Sequence, residues 1–509
     1  MKRVITVSVL LLLLSWSASK ADGQATDLPQ LRVTFLGTGA GPSVPVAITH
    51  VTVVDVAHGR RLPDRTVVTD GNRIARVGPS ASERVPSSAR IVDGRGKYLI
   101  PGLWDMHVHT LQNGRAVWMF PLFIANGVTG VRDTGAPLDS LLYYRPRVRA
   151  GEILGPRIVA TGPILDEPPG PSPYVTTPVT SAAQGRRTVD SLANAGVDFI
   201  KVYNELTRDE FYAIAAEATR RGLRIVGHVP FALSAFEASD AGLKSIEHLT
   251  RVPGVCIPDS LDRELDAEDK AAHARRPAIS PDSEQAMWVR MNRREAAAFD
   301  ERQCEQSGAH FARNGTWQVP TLELYHRGGR RFLASDTTRT DSLLRYVPAN
   351  VRASWMRIRD STLAHTWRGQ DFDSRYRTYA RVIRAVVRGG NGLLAGTDVG
   401  NLWIMAGSGL HGELVAFVRD VGLTPLQALR SATLGPAQFL GATDSLGTVA
   451  TGKIADLVLL DADPLLNIRN TQRIRAVFAN GRYLNRAALD SLLEVANRVA
   501  RAKEKNVTR

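Results

Sequence analysis

From about residue 98 to residue 400, short apolar runs alternate with helical patterns, and this alternation constrains the chain more than any other feature. The runs are "GLWDMHVH", "GVTGVRDTG", "PRIVATGPIL", "VDFIKVYN", "RIVGHVP", "SIEHLT", "WQVPTLELY" and "LLAGTDVG". They read as strands, and the stretches between them carry apolar residues at helical spacing. One such stretch, "RDEFYAIAAEATRRG", closes on Gly222, a common helix stop. Eight strand–helix units in roughly 340 residues predict an α/β chain folded as a (β/α)8 TIM barrel with insertions.

The site of such a barrel lies where the C-terminal strand ends meet the following loops. His107 and His109 close the first run two residues apart, so both point to one side. Lys201, His228, His248 and Asp398 follow at the ends of the fourth, fifth, sixth and eighth runs. Neutral imidazole and carboxylate are preferred donors for zinc and similar divalent ions. A single strand-end histidine is commonly a hydrogen-bonded structural residue. Five strands that each deliver a ligand-type side chain to one rim point instead to a metal-dependent hydrolase.

Shorter alternating runs flank this region: "AITHVTVVDV", "RTVVTDGNRIARVG" and "ARIVDGRGKYLI" before it, "LGTVATGKIADLVLLDAD" and "IRAVFANGRYL" after it. Asp70-Gly71 is a hairpin signal. Strands from both ends suggest one small β-sandwich, in two parts. The expected organisation is a signal peptide over 1–21, a linker or edge strand over 22–45, the first part of the sandwich over 46–101, the barrel over 102–443, the second part over 444–485 and a helical basic tail over 486–509.

The leader reading rests on Lys2 and Arg3, the apolar run "VITVSVLLLLL" and the small residues up to Ser19-Lys20-Ala21, a plausible cleavage site. The run is short of the ~20 residues that span a bilayer. A periplasmic or secreted protein with no stable membrane span is therefore expected. Net charge is +14, spread along the chain without a dense basic run, so solvated helix faces are expected rather than nucleic-acid binding. The two cysteines, Cys256 and Cys304, form either one disulfide or two buried thiols.

The residues resemble the amidohydrolase superfamily, specifically its prolidase-like and dipeptidase-like members. The resemblance runs from about residue 46 to 485. It rests on "PGLWDMHVH", "GVTGVRDTG", "FIKVYN", "VGHV", "SIEHLT", "AGTDVG", "GLTPLQALRSAT", "LGTVATGKIADLVLLDADPL" and "IRAVFANGRYL". It implies two divalent ions, zinc by donor preference: His107, His109 and Asp398 hold the more buried one, and His228 and His248 the second. Lys201 bridges them as a carbamate formed with carbon dioxide, because an unmodified lysine, with a pKa near ~10.4, would present a cation to the metals. Asp398 is the expected proton carrier. Tyr203, on the inward face two residues after Lys201, is the expected donor to the oxyanion.

The implied substrate is a small peptide or an N-acyl amino acid, and a homo-oligomer is expected. Three other readings compete with this one. A Schiff-base aldolase would use Lys201 but leave the histidines without a role. A one-metal deaminase or cyclic-amide, imidazolone-type hydrolase often lacks the lysine. The third is an exported metal- or peptide-binding protein without catalysis. Among peripheral residues, His411, His326 and Arg327 are candidate substrate contacts. Glu247 is a candidate support behind a ligand, and Arg132 with Asp133 a candidate ion pair. The charged segment 251–316 is read as solvated helices, a lid or an oligomer contact.

Overall fold

The computed structural model describes residues 44–274, 281–326, 341–365 and 372–502. The expected leader and almost all of the segment 22–45 lie outside the described residues, as does Arg327.

The first described element is β1 (Val46–Asp55), antiparallel to β2 (Arg60–Asp70). The latter turns at Asp70-Gly71 into β3 (Arg73–Pro79), with Asp70 opposite Arg73. Gly71 adopts φ +55°, the left-handed conformation this tight turn needs. Two short strands, β4 (Arg90–Asp93) and β5 (Tyr98–Pro101), run parallel to β1.

The central region is a mixed α/β fold with parallel sheets. β6 (Leu103–Val108), β7 (Val128–Asp133) and β8 (Arg157–Ala160) make one sheet in that order. A second sheet comprises β9 (Ile164–Asp166), β10 (Thr176–Pro178), β11 (Phe199–Val202), β12 (Arg224–Gly227), β13 (Leu243–Glu247) and β14 (Trp317–Val319). Its order is β10-β9-β11-β12-β13-β14. Every residue of β6, β7 and β11 is buried, as expected of parallel strands covered on both faces. The helix Arg208–Arg220 starts on the capping box Thr207/Glu210, confirming the helical reading of that stretch.

Three of the expected strands differ. The run "PRIVATGPIL" divides into β8 and β9, which lie in different sheets. The run "LLAGTDVG" pairs only at isolated bridges, Leu393 with Gln318 and Val399 with Val108. Asp398 at φ +60° and Gly400 at φ +120° cannot continue a ladder. The segment nonetheless lies between two strands: Met106 N donates to Ala395 O at 2.9 Å and Leu394 N to Gln318 O at 2.9 Å. The run "WQVPTLELY" keeps strand geometry only to Val319, because Pro320 has no N–H for a ladder and Thr321 takes φ +51°.

The last strands, β15 (Leu457–Leu460), β16 (Ile474–Ala479) and β17 (Arg482–Asn485), join the first sheet through β15 against β5, Leu460 facing Tyr98. One eight-stranded sheet therefore combines the first five strands with the last three. Its apolar face gathers Val46, Ile48, Val53, Val67, Leu99, Leu457, Leu459 and Phe478. The helix Arg486–Ala502 buries Leu489, Leu492, Val495 and Val499 and packs on the helix Ala116–Ala125. Among the described residues no helix is long and apolar enough to cross a membrane.

Residues 251–316 are largely helical, as expected, with helices Asp259–Ala274, Pro281–Ala298 and Glu301–Arg313. The first two share a small core of Ile257, Leu265, Met287 and Met291. A Cys256–Cys304 disulfide joins the two sides of the neck of this excursion.

Candidate metal centre

His107 lies within β6, His109 just beyond it, Lys201 in β11, and His228 and His248 immediately after β12 and β13. All stand at the same end of parallel strands. The left-handed turn at Asp398 brings its carboxylate among them. Asp398 Oδ1 lies 3.1 Å from His109 Nε2 and 3.4 Å from His107 Nε2, and Oδ2 lies 3.8 Å from His248 Nε2. The ring of His248 is 4.6 Å from that of His107 and 5.0 Å from that of His228. Donor atoms of His107, His248 and Asp398 all lie within 4.8 Å of one another, close enough to share one cation.

The orientation of the rings has a common cause. Each histidine offers Nδ1 to an acceptor behind it: His107 to Glu247 Oε2 at 2.7 Å, His109 to Gly135 O at 3.3 Å, His228 to Asn204 Oδ1 at 2.8 Å and His248 to Thr321 Oγ1 at 2.7 Å. The Thr321 hydroxyl spends its own hydrogen on Pro320 O, so it must accept from His248. With Nδ1 protonated, each ring presents the Nε2 lone pair, the arrangement metal-bound histidines use.

The front of the site has buried polar atoms without partners. His228 Nε2, both Asp398 oxygens and the Tyr203 hydroxyl receive or donate no hydrogen bond among the described residues. Such atoms are costly to bury unless a ligand completes them. The donor set therefore fits a divalent ion.

Electrostatics agree. Burial draws His248 down to about 3 and His228 well below its ordinary value, so both rings are neutral. Burial likewise draws Lys201 down to about 8, with Glu247 opposing and Arg132 reinforcing the shift. The Tyr203 hydroxyl is raised by burial and then by Asp166 and Asp398, so it remains a donor. Its ring stacks on His228 at 4.0 Å.

Behind the ligands the structure corrects one expectation. Arg132 does not pair with Asp133: its Nη2 reaches Glu247 at 2.8 and 3.0 Å, its Nη1 Ser245 Oγ at 2.9 Å and its Nε Met106 O at 2.6 Å. Neighbours on a strand face opposite sides, so Arg132 points toward β13 while Asp133 accepts from Thr110 N and Leu111 N, at 2.7 and 3.0 Å, fixing the turn after His109. Glu247 supports His107 across the sheet. It is also the carboxylate that balances Arg132.

His411 is a second correction. It is buried between Thr471 Oγ1 at 2.9 Å and Asn126 O at 3.0 Å, tying two helical segments together rather than meeting a substrate. His326 stands 3.8 Å from Glu323 and its ring 6.0 Å from Tyr376. Asn204, Thr321, Asp105 and Thr397 were not singled out from sequence. Asp105 accepts from Thr397 Oγ1 at 2.6 Å and so steadies the residue before Asp398. The available signal was position: Asn204 and Thr321 are polar residues just past strand ends, and Asp105 shares the inward parity of His107.

Residues 346–484 match the model of the Amidohydrolase family. The fold is similar to that of bottromycin amidohydrolase, with TM-score 0.69 and 24% identity over 90% of this chain and 91% of that one. The family match thus covers about a quarter of the chain, and the fold of nearly all of it is similar to that of an amidohydrolase of known structure. A Xaa-Pro dipeptidase structure is similar at TM-score 0.60 and 19% identity, covering 87% of this chain and all of the other; at these identities the likeness speaks for the fold. An imidazolonepropionase of Streptomyces griseus subsp. griseus is 26% identical over 427 residues, 82% of this chain and 92% of its own. An adenine deaminase of Rubrobacter xylanophilus is 35% identical over 89 residues, and the match spans only 14% of its length.

Proposed function

We propose that the protein is an exported hydrolase that cleaves an amide or peptide bond in a small peptide or N-acyl amino acid at a two-metal centre. One observation carries the proposal: the buried Asp398 carboxylate accepts no hydrogen bond while three anchored imidazoles turn Nε2 toward it at 3.1 to 3.8 Å. Buried acceptors and lone pairs that face one another in this way support a cation shared among them.

A closed (β/α)8 barrel over 102–443, carrying a β-sandwich of 46–101 and 444–485, accounts for the hydrogen bonds that join the two parallel sheets. The segment 392–399 bridges β14 and β6, and Asp198 N donates to Ala160 O at 2.9 Å between β11 and β8. His107, His109 and Asp398 would hold one zinc ion and His228 and His248 the second. Lys201 would bridge them after its amine adds to carbon dioxide, forming an N–C bond and releasing a proton. Burial keeps that amine within reach of its neutral, reactive form. Bound divalent ions would supply Lewis acidity and acidify water.

The chain's own residues then divide the work. Asp398 takes the proton of the attacking water and passes it to the departing nitrogen. The Tyr203 hydroxyl, buried and without a partner, donates to the carbonyl oxygen as charge develops there. The Cys256–Cys304 disulfide favours an oxidising compartment, in keeping with a periplasmic or secreted protein and the leader over 1–21. A homo-oligomer acting on a small molecule completes the proposal.

Metal content of the mature protein and of Lys201→Ala, measured by inductively coupled plasma mass spectrometry, tests it. About two zinc-like ions per chain, falling in the variant, are expected. One ion, unchanged by the substitution, would overturn the two-metal centre. Asp398→Asn separates an enzyme from a binder: turnover should collapse while much of the metal remains.

The second reading is a one-metal hydrolase of a cyclic amide of imidazolone type. It is favoured by the length of the likeness to imidazolonepropionase and by the compact His107–His248–Asp398 trio. The same metal count decides between the two.

A further inference from the structure

We infer that Glu413 is a positioning residue for the metal centre: it holds the backbone of Leu322 and Glu323, and so fixes Thr321 where the hydroxyl orients His248. The inference rests on the metal-binding reading above and applies to one ion or to two.

The chain turns sharply after β14. Thr321 takes φ +51°, a conformation uncommon for a β-branched residue and retained only where surrounding contacts impose it. A helical turn begins at once, with Leu324 N donating to Thr321 O at 3.0 Å. The first N–H groups of such a turn find no acceptor within it, and a threonine at its head is a residue type that ordinarily caps them. Thr321 is engaged elsewhere. Its hydroxyl donates to Pro320 O at 2.7 Å and accepts from His248 Nδ1 at 2.7 Å.

Glu413 caps the turn instead. Leu322 N donates to its Oε1 at 2.9 Å and Glu323 N to its Oε2 at 2.6 Å. Glu413, Thr321 and Leu322 are all fully buried. Glu413 belongs to the helix Ser408–Ala416, which approaches closely because residue 412 is glycine: a Cβ there would fall 2.6 Å from the Glu323 carboxylate. That helix follows the turn at Asp398. A ring therefore closes through the centre, from Asp398 along the chain to Glu413, across to the turn after β14, and through Thr321 to His248. The Nε2 of His248 faces Asp398 Oδ2 at 3.8 Å. Such a ring sets the spacing of two groups that would share a cation.

The competing role is a buried carboxylate that merely stabilises a loop. Its loss would act alike whether or not residue 321 carries a hydroxyl. A positioning residue loses its effect on the metal once that hydroxyl is gone.

The test is a double-mutant cycle on zinc affinity, read by competition with a chromophoric chelator. Glutamine at 413 keeps one acceptor oxygen and replaces the other with an NH2 group that cannot accept. Valine at 321 keeps the shape of threonine without its hydroxyl. Thr321→Val should weaken one zinc site by about tenfold or more. At that site Glu413→Gln should cost about tenfold or more where Thr321 is present, and no more than about threefold where it is valine. A smaller loss in the first case or a larger one in the second overturns the inference, as does a Thr321→Val variant of unchanged affinity. If Glu413→Gln does not fold, Glu413→Asp, one methylene shorter, carries the same comparison. A wild type that holds no zinc overturns the metal-binding reading and the inference together. Zinc-bound wild type with equal losses in both backgrounds overturns the inference alone.

Discussion

His107 donates its Nδ1–H to Glu247 Oε2 at 2.7 Å, and Arg132 grips the same carboxylate from behind. All three side chains are buried. Burial raises the Glu247 carboxyl, but Arg132 and then His107 outweigh it, so Glu247 is an anion that fixes the tautomer of His107. Glu247→Gln should weaken metal affinity about 10–100-fold, read by competition with a chromophoric chelator. Glu247→Leu strands Arg132 as well, and should cost about 3–5 kcal/mol in urea denaturation of the metal-free protein. Loss of neither property would show the pair to be incidental.

Tyr203 offers a cleaner test of chemistry. Phenylalanine keeps the ring stacked 4.0 Å from His228 and removes only the hydroxyl. Tyr203→Phe should lower kcat by about 10²–10³ with KM and metal content little changed. A variant with wild-type kcat would assign the tyrosine to packing alone.

The Cys256–Cys304 bond closes a loop with a sequence separation of 48. In the chain-entropy account such a crosslink contributes about 4 kcal/mol. The double Cys→Ala variant should therefore unfold at clearly lower urea than wild type, and reductant should lower the wild-type midpoint but not that of the variant.

His411 predicts a pH dependence. Burial lowers it to about 4, with the Asn126 carbonyl opposing, against an ordinary value of 6.5. Between those values the unfolded chain binds a proton that the folded chain does not, so this group makes stability rise with pH and fall on acidification. The buried acid Asp105, raised to about 7 chiefly by burial, acts in the opposite sense, so the wild-type slope is a sum. The difference from His411→Asn isolates the histidine: between pH 6.5 and 4 the variant should lose up to ~1.4 kcal/mol less per pH unit. Parallel slopes from urea titrations would contradict the assignment.

Much of the centre was legible because strand ends are. Val, Ile and Leu runs mark the strands, alternation places His107 and His109 on one side, and the residue types at the ends name the chemistry. The errors share a different origin. Adjacency in sequence suggests Asp133 as the partner of Arg132, but the partner, Glu247, lies 115 positions away on β13. His411 looked like a pocket residue because it follows Asp398 closely in sequence, yet its partner Thr471 belongs to the segment between β15 and β16. The eighth run looked like a strand because its composition is that of one, while the positive φ at Asp398 is imposed by where its carboxylate must go.

The sequence by itself determined the strand–helix alternation, the six ligand-type residues and the pairing of both chain ends in one set of strands, because each depends on local periodicity and side-chain type. Tertiary structure alone decided which acceptor holds each histidine and which carboxylate balances Arg132. Those choices depend on strand register and on contacts between residues far apart in the chain, such as Glu247 with Arg132 and His248 with Thr321, which no local pattern encodes.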